Sequence, residues 1–405
     1  MTAWFTTAFI YLAAAVLIVP LSKRFGLGSV LGYLLAGILI GPTLHLVGQE
    51  THDVQHVAEF GVVMMLFLIG LELEPAMLWK LRAKLLGLGG LQVLGTIAAI
   101  AILALILGQP WQVAITAGCV LALSSTAIVL QTLGEKGLLN SPGGQASFSV
   151  LLFQDIAVIP MLALLPLIAL PELTAAAHGA GGHEATLFEG LPAYLKAPVI
   201  LAIVIGLIAA FHYISHPFLR YIARSRMREV YTATALMLVV GIAALMSLIG
   251  LSPALGAFIA GVVLADSEYR HELESTLEPF KGLLLGLFFI TVGAGIDFEL
   301  LRHEYHIILA LTVAVMAIKA AVLYILGKTF RLRGTGLPLF TLALAQAGEF
   351  GFVLLSFAVQ HGDMPEDTAE RLLLVVALSM LLTPLLFIAY DKLLAPRASR
   401  DGLKR

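Results

Sequence analysis

Charge is scarce in this chain. Asp, Glu, Lys and Arg make up 12% of its 405 residues while 60% are hydrophobic, against roughly a quarter charged in an ordinary soluble domain. A composition that poor in charge excludes a water-soluble globule. Cysteine is scarcer still: the one residue, Cys119, lies inside an apolar stretch, which excludes a disulfide framework and a cysteine metal site. The first residues lack a basic region and a small-residue cleavage site, so residues 5–20 read as a retained first span, not a signal peptide. A formal net charge of −2 gives no sign of a nucleic-acid partner, and none is expected. What the chain has is about thirteen long apolar stretches, at about 20 residues per transmembrane helix.

These spans read at 5–20, 26–41, 56–73, 85–108, 111–133, 145–170, 193–218, 229–250, 252–265, 279–296, 305–327, 336–360 and 369–390. No room remains for a folded extramembrane domain. Alternate loops differ sharply in basic charge. One side holds only Lys196, Arg302 and Arg371, Lys319 falls within a span, and every other Lys and Arg lies on the opposite side or in the tail. By the positive-inside rule the C-terminus is cytoplasmic, and an odd span number puts the N-terminus outside. The long external loop, 171–192, carries His178 and His183 and reads as a flexible linker, not a metal site.

The chain also resembles itself. Leu31-Gly32-Tyr33-Leu34-Leu35-Ala36-Gly37 matches Leu255-Gly256-Ala257-Phe258-Ile259-Ala260-Gly261. Further along, Gly61 meets Gly282, Leu66-Phe67 meets Leu287-Phe288, and Leu121-Ala122-Leu123 meets Leu342-Ala343-Leu344. Ordered matches at nearly constant offset argue for a duplication over about 26–170 and 250–390. The copies stand seven spans apart, an odd number, so they have opposite orientations, as in the inverted repeats of secondary transporters. The competing reading is that small residues such as Gly32 and Ala36 only permit close helix packing.

Ionisable groups deep in spans are costly and therefore suggest function. Three occur: Asp155, Lys319 and Glu349. A carboxyl at Asp155, amid apolar residues, avoids being an unpaired charge by taking a proton or binding a cation, and that competition is the minimal chemistry of antiport. Gln154 beside it adds no charge, so one-for-one electroneutral exchange follows if Asp155 acts alone. Ser124, Ser125 and Thr126 interrupt the fifth span, and Gln346-Ala347-Gly348-Glu349 interrupts its repeat partner. Paired polar interruptions point to broken helices whose freed carbonyls coordinate a cation, although hydroxyls can also bond back within an intact helix. Lys319 would neutralise the negative ends of the half-helices, or pair with Asp155 or Glu349. Glu349 reads as a second titrating carboxyl or as the partner of Lys319.

On the otherwise basic side, the segment from Asp266 to Pro279 is acidic and reads as a loop. His271, Glu272, Glu274 and Glu278 there would dock on a basic surface or stay solvated. Gly26-Leu27-Gly28 and Gly327-Lys328-Thr329 fall short of nucleotide-binding fingerprints.

The stretches Gly26 to Pro42, Ile69 to Leu73, Leu121 to Ile128, Leu151 to Pro160, His271 to Gly282 and Gly348-Glu349-Phe350 resemble the membrane domain of the Kef glutathione-gated potassium efflux systems. These belong to the monovalent cation:proton antiporter superfamily, and the resemblance covers nearly the whole chain. It implies an all-α polytopic membrane protein of the sodium:proton antiporter-like fold, with two inverted repeats and crossed broken helices, in a bacterial inner membrane. It implies a homodimer and potassium leaving in exchange for protons. Asp155 maps onto the ion-binding aspartate, holding potassium as substrate, with Gln154, Ser124, Ser125 and Thr126 around it. Lys319, with Glu349, maps onto the helix crossing. His271 to Lys281 maps onto the regulatory loop that contacts a cytosolic domain binding nucleotide and glutathione.

Nucleotide and glutathione are expected only on that domain, outside the 405 residues, and no cofactor is expected within them. Residues 1–390 would be the antiporter domain and 391–405 a cytoplasmic tail starting a linker to a regulatory domain; a cytosolic regulatory domain or an ancillary oxidoreductase-like subunit is the expected partner. Thr276 stands where an acid is expected and Glu272 is an extra one. The chain is not read as an enzyme. Rival readings are a sodium:proton antiporter of the same fold, a gated cation channel, and a non-transporting receptor or scaffold subunit.

Overall fold

Caps and prolines mark where the spans begin. Ser141 accepts the Gly144 amide at 3.1 Å with Pro142 as the first helical residue, and Asp297 accepts the amides of Glu299 and Leu300 at 2.7 and 3.0 Å. Each satisfies amides that a helix leaves unpaired in its first turn. The computed structural model describes residues 2–25, 28–47, 50–72, 85–168, 170, 206, 209–211, 213–215, 217–222, 227–249 and 253–390. The expected span at 193–218, the 171–192 loop with His178 and His183, and the 391–405 tail lie largely or wholly outside them.

The described residues form helices throughout: α1 (Thr2–Arg24), α2 (Gly28–Ile38), α3 (Glu50–Glu72), α4 (Leu91–Ile106), α5 (Trp111–Ala122), α6 (Thr126–Glu135), α7 (Pro142–Leu164), α8 (Arg228–Ile249), α9 (Pro253–Leu264), α10 (Arg270–Ala294), α11 (Phe298–Thr329), α12 (Gly336–Ala343), α13 (Phe350–Gln360) and α14 (Glu366–Ala389). Among the described residues, 8 helices are long and apolar enough to cross a bilayer. Shorter apolar helices, including Leu255–Leu264 and Phe350–Gln360, accompany them. Phe5, Phe9, Val16 and Leu17 on α1 are each about 70% exposed, a surface that suits lipid and not water.

The chain divides into two compact units. The first comprises Met1–Thr51, Leu81–Ala177 and Phe289–Arg405. Its core includes Val129, Leu133, Val150, Leu151, Leu323, Phe340 and Leu344, drawn from α6, α7, α11 and α12. α11 bends at Glu304, whose φ of −112° and ψ of 17° are not helical. There Arg371 of α14 donates to both Glu304 carboxylate oxygens at 2.7 and 3.1 Å, the two-pronged pairing that a planar guanidinium favours.

The second unit comprises His52–Lys80 and His178–Phe288. Met64, Phe67, Leu71, Val239, Ile242, Leu264, Leu273 and Leu277 form its buried cluster. This corrects the reading of 266–279 as a loop, because α10 begins at Arg270 and runs through Pro279. The reason is amphipathic spacing. Leu273 and Leu277, four apart, are fully buried in the cluster, while Glu272 and Glu278 face outward. His271 lies 3.5 Å from Glu274, and Arg220 lies 3.2 Å from Glu268. Glu272 and Glu278 thus sit on the outer face of a helix, with Asp266 and Glu268 just before it.

Candidate functional site

Both expected helix interruptions exist, and they cross. After Ala122 the backbone extends, with ψ of 150° at Leu123 and 108° at Ser125, before α6 starts at Thr126. The partner break separates α12, ending at Ala343, from α13, starting at Phe350. They meet at Gly348, where an added methyl would stand 2.5 Å from the Ser124 carbonyl carbon. Gly348 is not among the glycines with positive φ, which are Gly108, Gly137, Gly334 and Gly362. Its role is space at the crossing.

Asp155 is half-buried on α7, and the Thr126 hydroxyl donates to its two oxygens at 3.0 and 3.3 Å. Thr126 is the first residue of α6, so the carboxylate stands near the end of a half-helix that carries partial positive charge. Among the described residues no cluster of three or more His, Cys, Asp or Glu side chains could hold a metal ion. The carboxylate and hydroxyl at Asp155 are hard oxygen donors, the kind suited to an alkali cation as cargo.

The rest of the expected ion-binding set is employed in the scaffold. The Ser125 hydroxyl caps α6 by accepting the Ile128 amide at 3.3 Å. The Ser124 hydroxyl donates to the Leu344 carbonyl at 2.9 Å. Gln154 is buried, and its carbonyl oxygen accepts the Ser124 amide at 2.7 Å while its NH2 donates to the Gln92 oxygen at 2.7 Å. Of the five residues expected to bind the ion, Thr126 bonds to Asp155, whereas Ser124 and Gln154 bond to each other.

Lys319 is fully buried. It donates to the carbonyls of Leu123 and Gln346, both at 2.7 Å, and to the Ser124 hydroxyl at 3.2 Å. All three partners are uncharged: of the two expected roles, Lys319 stands on the half-helix ends and not on Asp155 or Glu349. The ammonium ties together the carbonyls freed by the two breaks. Glu349 turns to the other half-helix end, where its Oε1 lies 3.5 Å from the Ala127 amide. The opposite charges thus occupy complementary ends of the broken helices, lysine on carbonyls and glutamate near amides.

Two contributors, Gln92 and Ser379, escape a reading of charge and spacing. Gln92 on α4 is fully buried and donates to the Thr96 hydroxyl and the Ala122 carbonyl, both at 3.1 Å. Ser379 on α14 accepts the Ala347 amide at 3.0 Å, supporting the second break. Gln346 is fully buried and neither atom of its side-chain amide has a partner. Uncharged amides and hydroxyls in an apolar helix give no signal by themselves; only the carbonyls and amides released at the breaks show where such groups are needed.

Residues 11–388 match the family model of the sodium/hydrogen exchanger, transmembrane. The glutathione-regulated potassium-efflux system protein KefC of Klebsiella pneumoniae subsp. pneumoniae is 46% identical over 95% of this chain. That of Enterobacter sp. (strain 638) is 45% identical over 97%. The chain spans about three fifths of the length of these relatives. Among solved structures, the sodium proton antiporter MjNhaP1 from Methanocaldococcus jannaschii at pH 8 superposes with a TM-score of 0.62 at 16% identity, covering 97% of this chain and 100% of the other. That likeness speaks for the fold alone. A family match of this extent, on a chain of apolar helices with two crossed breaks, makes the protein a multi-pass membrane transporter: it belongs to the transmembrane sodium/hydrogen exchanger family.

Proposed function

We propose that this chain exchanges potassium for protons, one for one, with Asp155 as the shared site. One observation carries the reading. Lys319, the buried cation nearest the crossing, is bound to carbonyls and a hydroxyl, so it does not serve as the counter-ion of Asp155. The Asp155 carboxylate accepts the Thr126 hydroxyl at 3.0 Å at the start of α6. In this reading a proton or an alkali cation occupies the carboxylate, and each excludes the other. Because Gln154 brings an amide where a second acid would add charge, the loaded site carries the same charge with either occupant.

Potassium is preferred to sodium because the relatives at 45 and 46% identity are named for potassium efflux. Their names also state regulation by glutathione. We assign that control, with any nucleotide, to the part of those proteins that this chain does not span. His271, Glu272, Glu274 and Glu278 on the outer face of α10 are the proposed contact for it. A homodimer in a bacterial inner membrane, N-terminus outside and C-terminus in the cytoplasm, and duplication of 26–170 in 250–390 complete the proposal.

The test uses proteoliposomes holding a pH dye. Imposed potassium gradients should move protons in the parent and not in Asp155→Asn, with rates unaffected by a membrane potential set independently. Exchange with sodium alone would replace potassium as the substrate. Potassium flux without proton movement would show a channel instead, and an Asp155→Asn protein exchanging at the parent's rate would remove Asp155 from the site.

A further inference from the structure

Besides the Leu123 carbonyl held by Lys319, the unwinding of residues 123–125 leaves two more backbone groups without their helical partners. In a continuous helix the Ala122 carbonyl would accept the Thr126 amide, and the Ser124 amide would donate to the Val120 carbonyl. Neither bond survives the extended turn at Leu123. Stranded groups deep in a bilayer protein cost several kcal/mol each if nothing replaces the lost partner. The replacements here are two side-chain amides from different helices.

Gln92 of α4 donates its NH2 to the Ala122 carbonyl at 3.1 Å, and Gln154 of α7 presents its oxygen to the Ser124 amide at 2.7 Å. The two are joined by the Gln154 NH2 donating to the Gln92 oxygen at 2.7 Å. The second Gln92 hydrogen goes to Thr96 at 3.1 Å. Only one orientation of the pair satisfies all four contacts. Rotating Gln154 by half a turn would set its NH2 against the Ser124 N–H, donor on donor. Rotating Gln92 would set its oxygen against the Ala122 carbonyl, acceptor on acceptor. Each amide therefore fixes the other.

We propose that Gln92 and Gln154 together act as surrogate peptide groups that hold the α5–α6 break open. Gln92 is then a positioning residue for the ion site. It touches neither Asp155 nor the cargo. It sets Gln154, Gln154 sets Ser124, and Ser124 is two residues before Thr126, whose hydroxyl reaches Asp155. The inference rests on the proposed exchange reading only for its transport readout.

The experiment compares the parent with Gln92→Leu, Gln154→Leu, the double variant and Gln92→Glu. Amide deuteration of the 122–127 segment in detergent should quicken at least tenfold in each leucine variant and no further in the double. In vesicles the cation concentration for half-maximal exchange should rise at least fivefold in Gln92→Leu while the maximal rate stays within twofold. Gln92→Glu keeps the acceptor for Gln154 but, when ionised, faces the Ala122 carbonyl with a second acceptor. Its half-saturation should therefore return toward the parent's at the acid end of the pH profile, where the protonated carboxyl donates again. A merely structural role predicts less folded protein with unaltered half-saturation and pH profile. That result, unchanged deuteration at 122–127, or fully additive effects in the double variant would overturn the proposal. Should Gln92→Leu fail to accumulate, Gln92→Glu carries both readouts. A parent that moves no cation against protons would defeat the exchange reading, and the deuteration comparison would still decide this one.

Discussion

The Lys319 ammonium sits 2.7 Å from the carbonyl of Leu123, the first residue beyond the end of α5. A buried lysine that ends on backbone oxygen, and not on a carboxylate, is a fastener. Replacing it by methionine leaves the Leu123 and Gln346 carbonyls without their donor, at roughly 1–3 kcal/mol for each buried group left unsatisfied. Lys319→Met should lower the detergent melting temperature by several degrees and reduce folded yield. A fluorescence-detected thermal series on size exclusion measures both. A variant that melts like the parent yet has lost cation affinity would show a direct role at the ion site.

Thr126 should give the opposite signature. Valine keeps the shape and removes only the hydroxyl bonded to Asp155, and a hydrogen bond to a charged group contributes about 1.5–3 kcal/mol. Thr126→Val should raise the half-saturating cation concentration roughly 10- to 100-fold, with a melting temperature close to the parent's. Initial rates against potassium concentration in vesicles are the measurement.

Two glycines separate space from conformation. At Gly348 an added methyl would stand 2.5 Å from the Ser124 carbonyl carbon, whereas at Gly241 on α8 it would meet nothing within 4 Å. Gly348→Ala should cost about 1–3 kcal/mol or more by overpacking. Gly241→Ala should be neutral or stabilise by up to about 1 kcal/mol through helix propensity. Paired melting curves decide the matter.

Asp363 makes stability depend on pH. It lies between α13 and α14, fully buried, and neither carboxylate oxygen has a hydrogen-bond partner. Burial pushes its carboxyl up from 3.8 to about 6. Burial also holds His361, two residues away, below its ordinary 6.5, so that ring is no counter-charge. A raised acid pKa means the folded state holds the proton more tightly. Its stabilising effect is therefore full below pH 3.8 and is lost as pH rises through about 6. Asp363→Asn should melt higher than the parent at pH 7.5, by up to about 3 kcal/mol in stability. The difference should vanish near pH 4. A pH series of melting curves on both proteins is the check.

Most of the scaffold was legible in the residues because bilayer spans and broken helices leave coarse marks. Ser124-Ser125-Thr126 and Gly348-Glu349 announce the two breaks, and Asp155, Lys319 and Glu349 stand out as charges in apolar runs. Charge alone leaves Lys319 open between the half-helix ends and an acid, and its ammonium lies on the carbonyls of Leu123 and Gln346. Gln154 was noticed for its lack of charge, yet its task depends on Gln92, more than sixty residues earlier. The segment from Arg270 to Pro279 is obscured for a different reason: its four charged residues mask Leu273 and Leu277 at helical spacing.

The stitching of the crossing also limits how the protein can move. Lys319 grips both breaks, the Ser124 hydroxyl spans from one to the other, and Gln92, Gln154 and Ser379 anchor them to α4, α7 and α14. No single half-helix can swing without tearing bonds from its neighbours. Whatever displacement carries an ion from one face of the bilayer to the other must therefore transport the knot intact, like a parcel with its string, and leave those separations the same at either end of the journey.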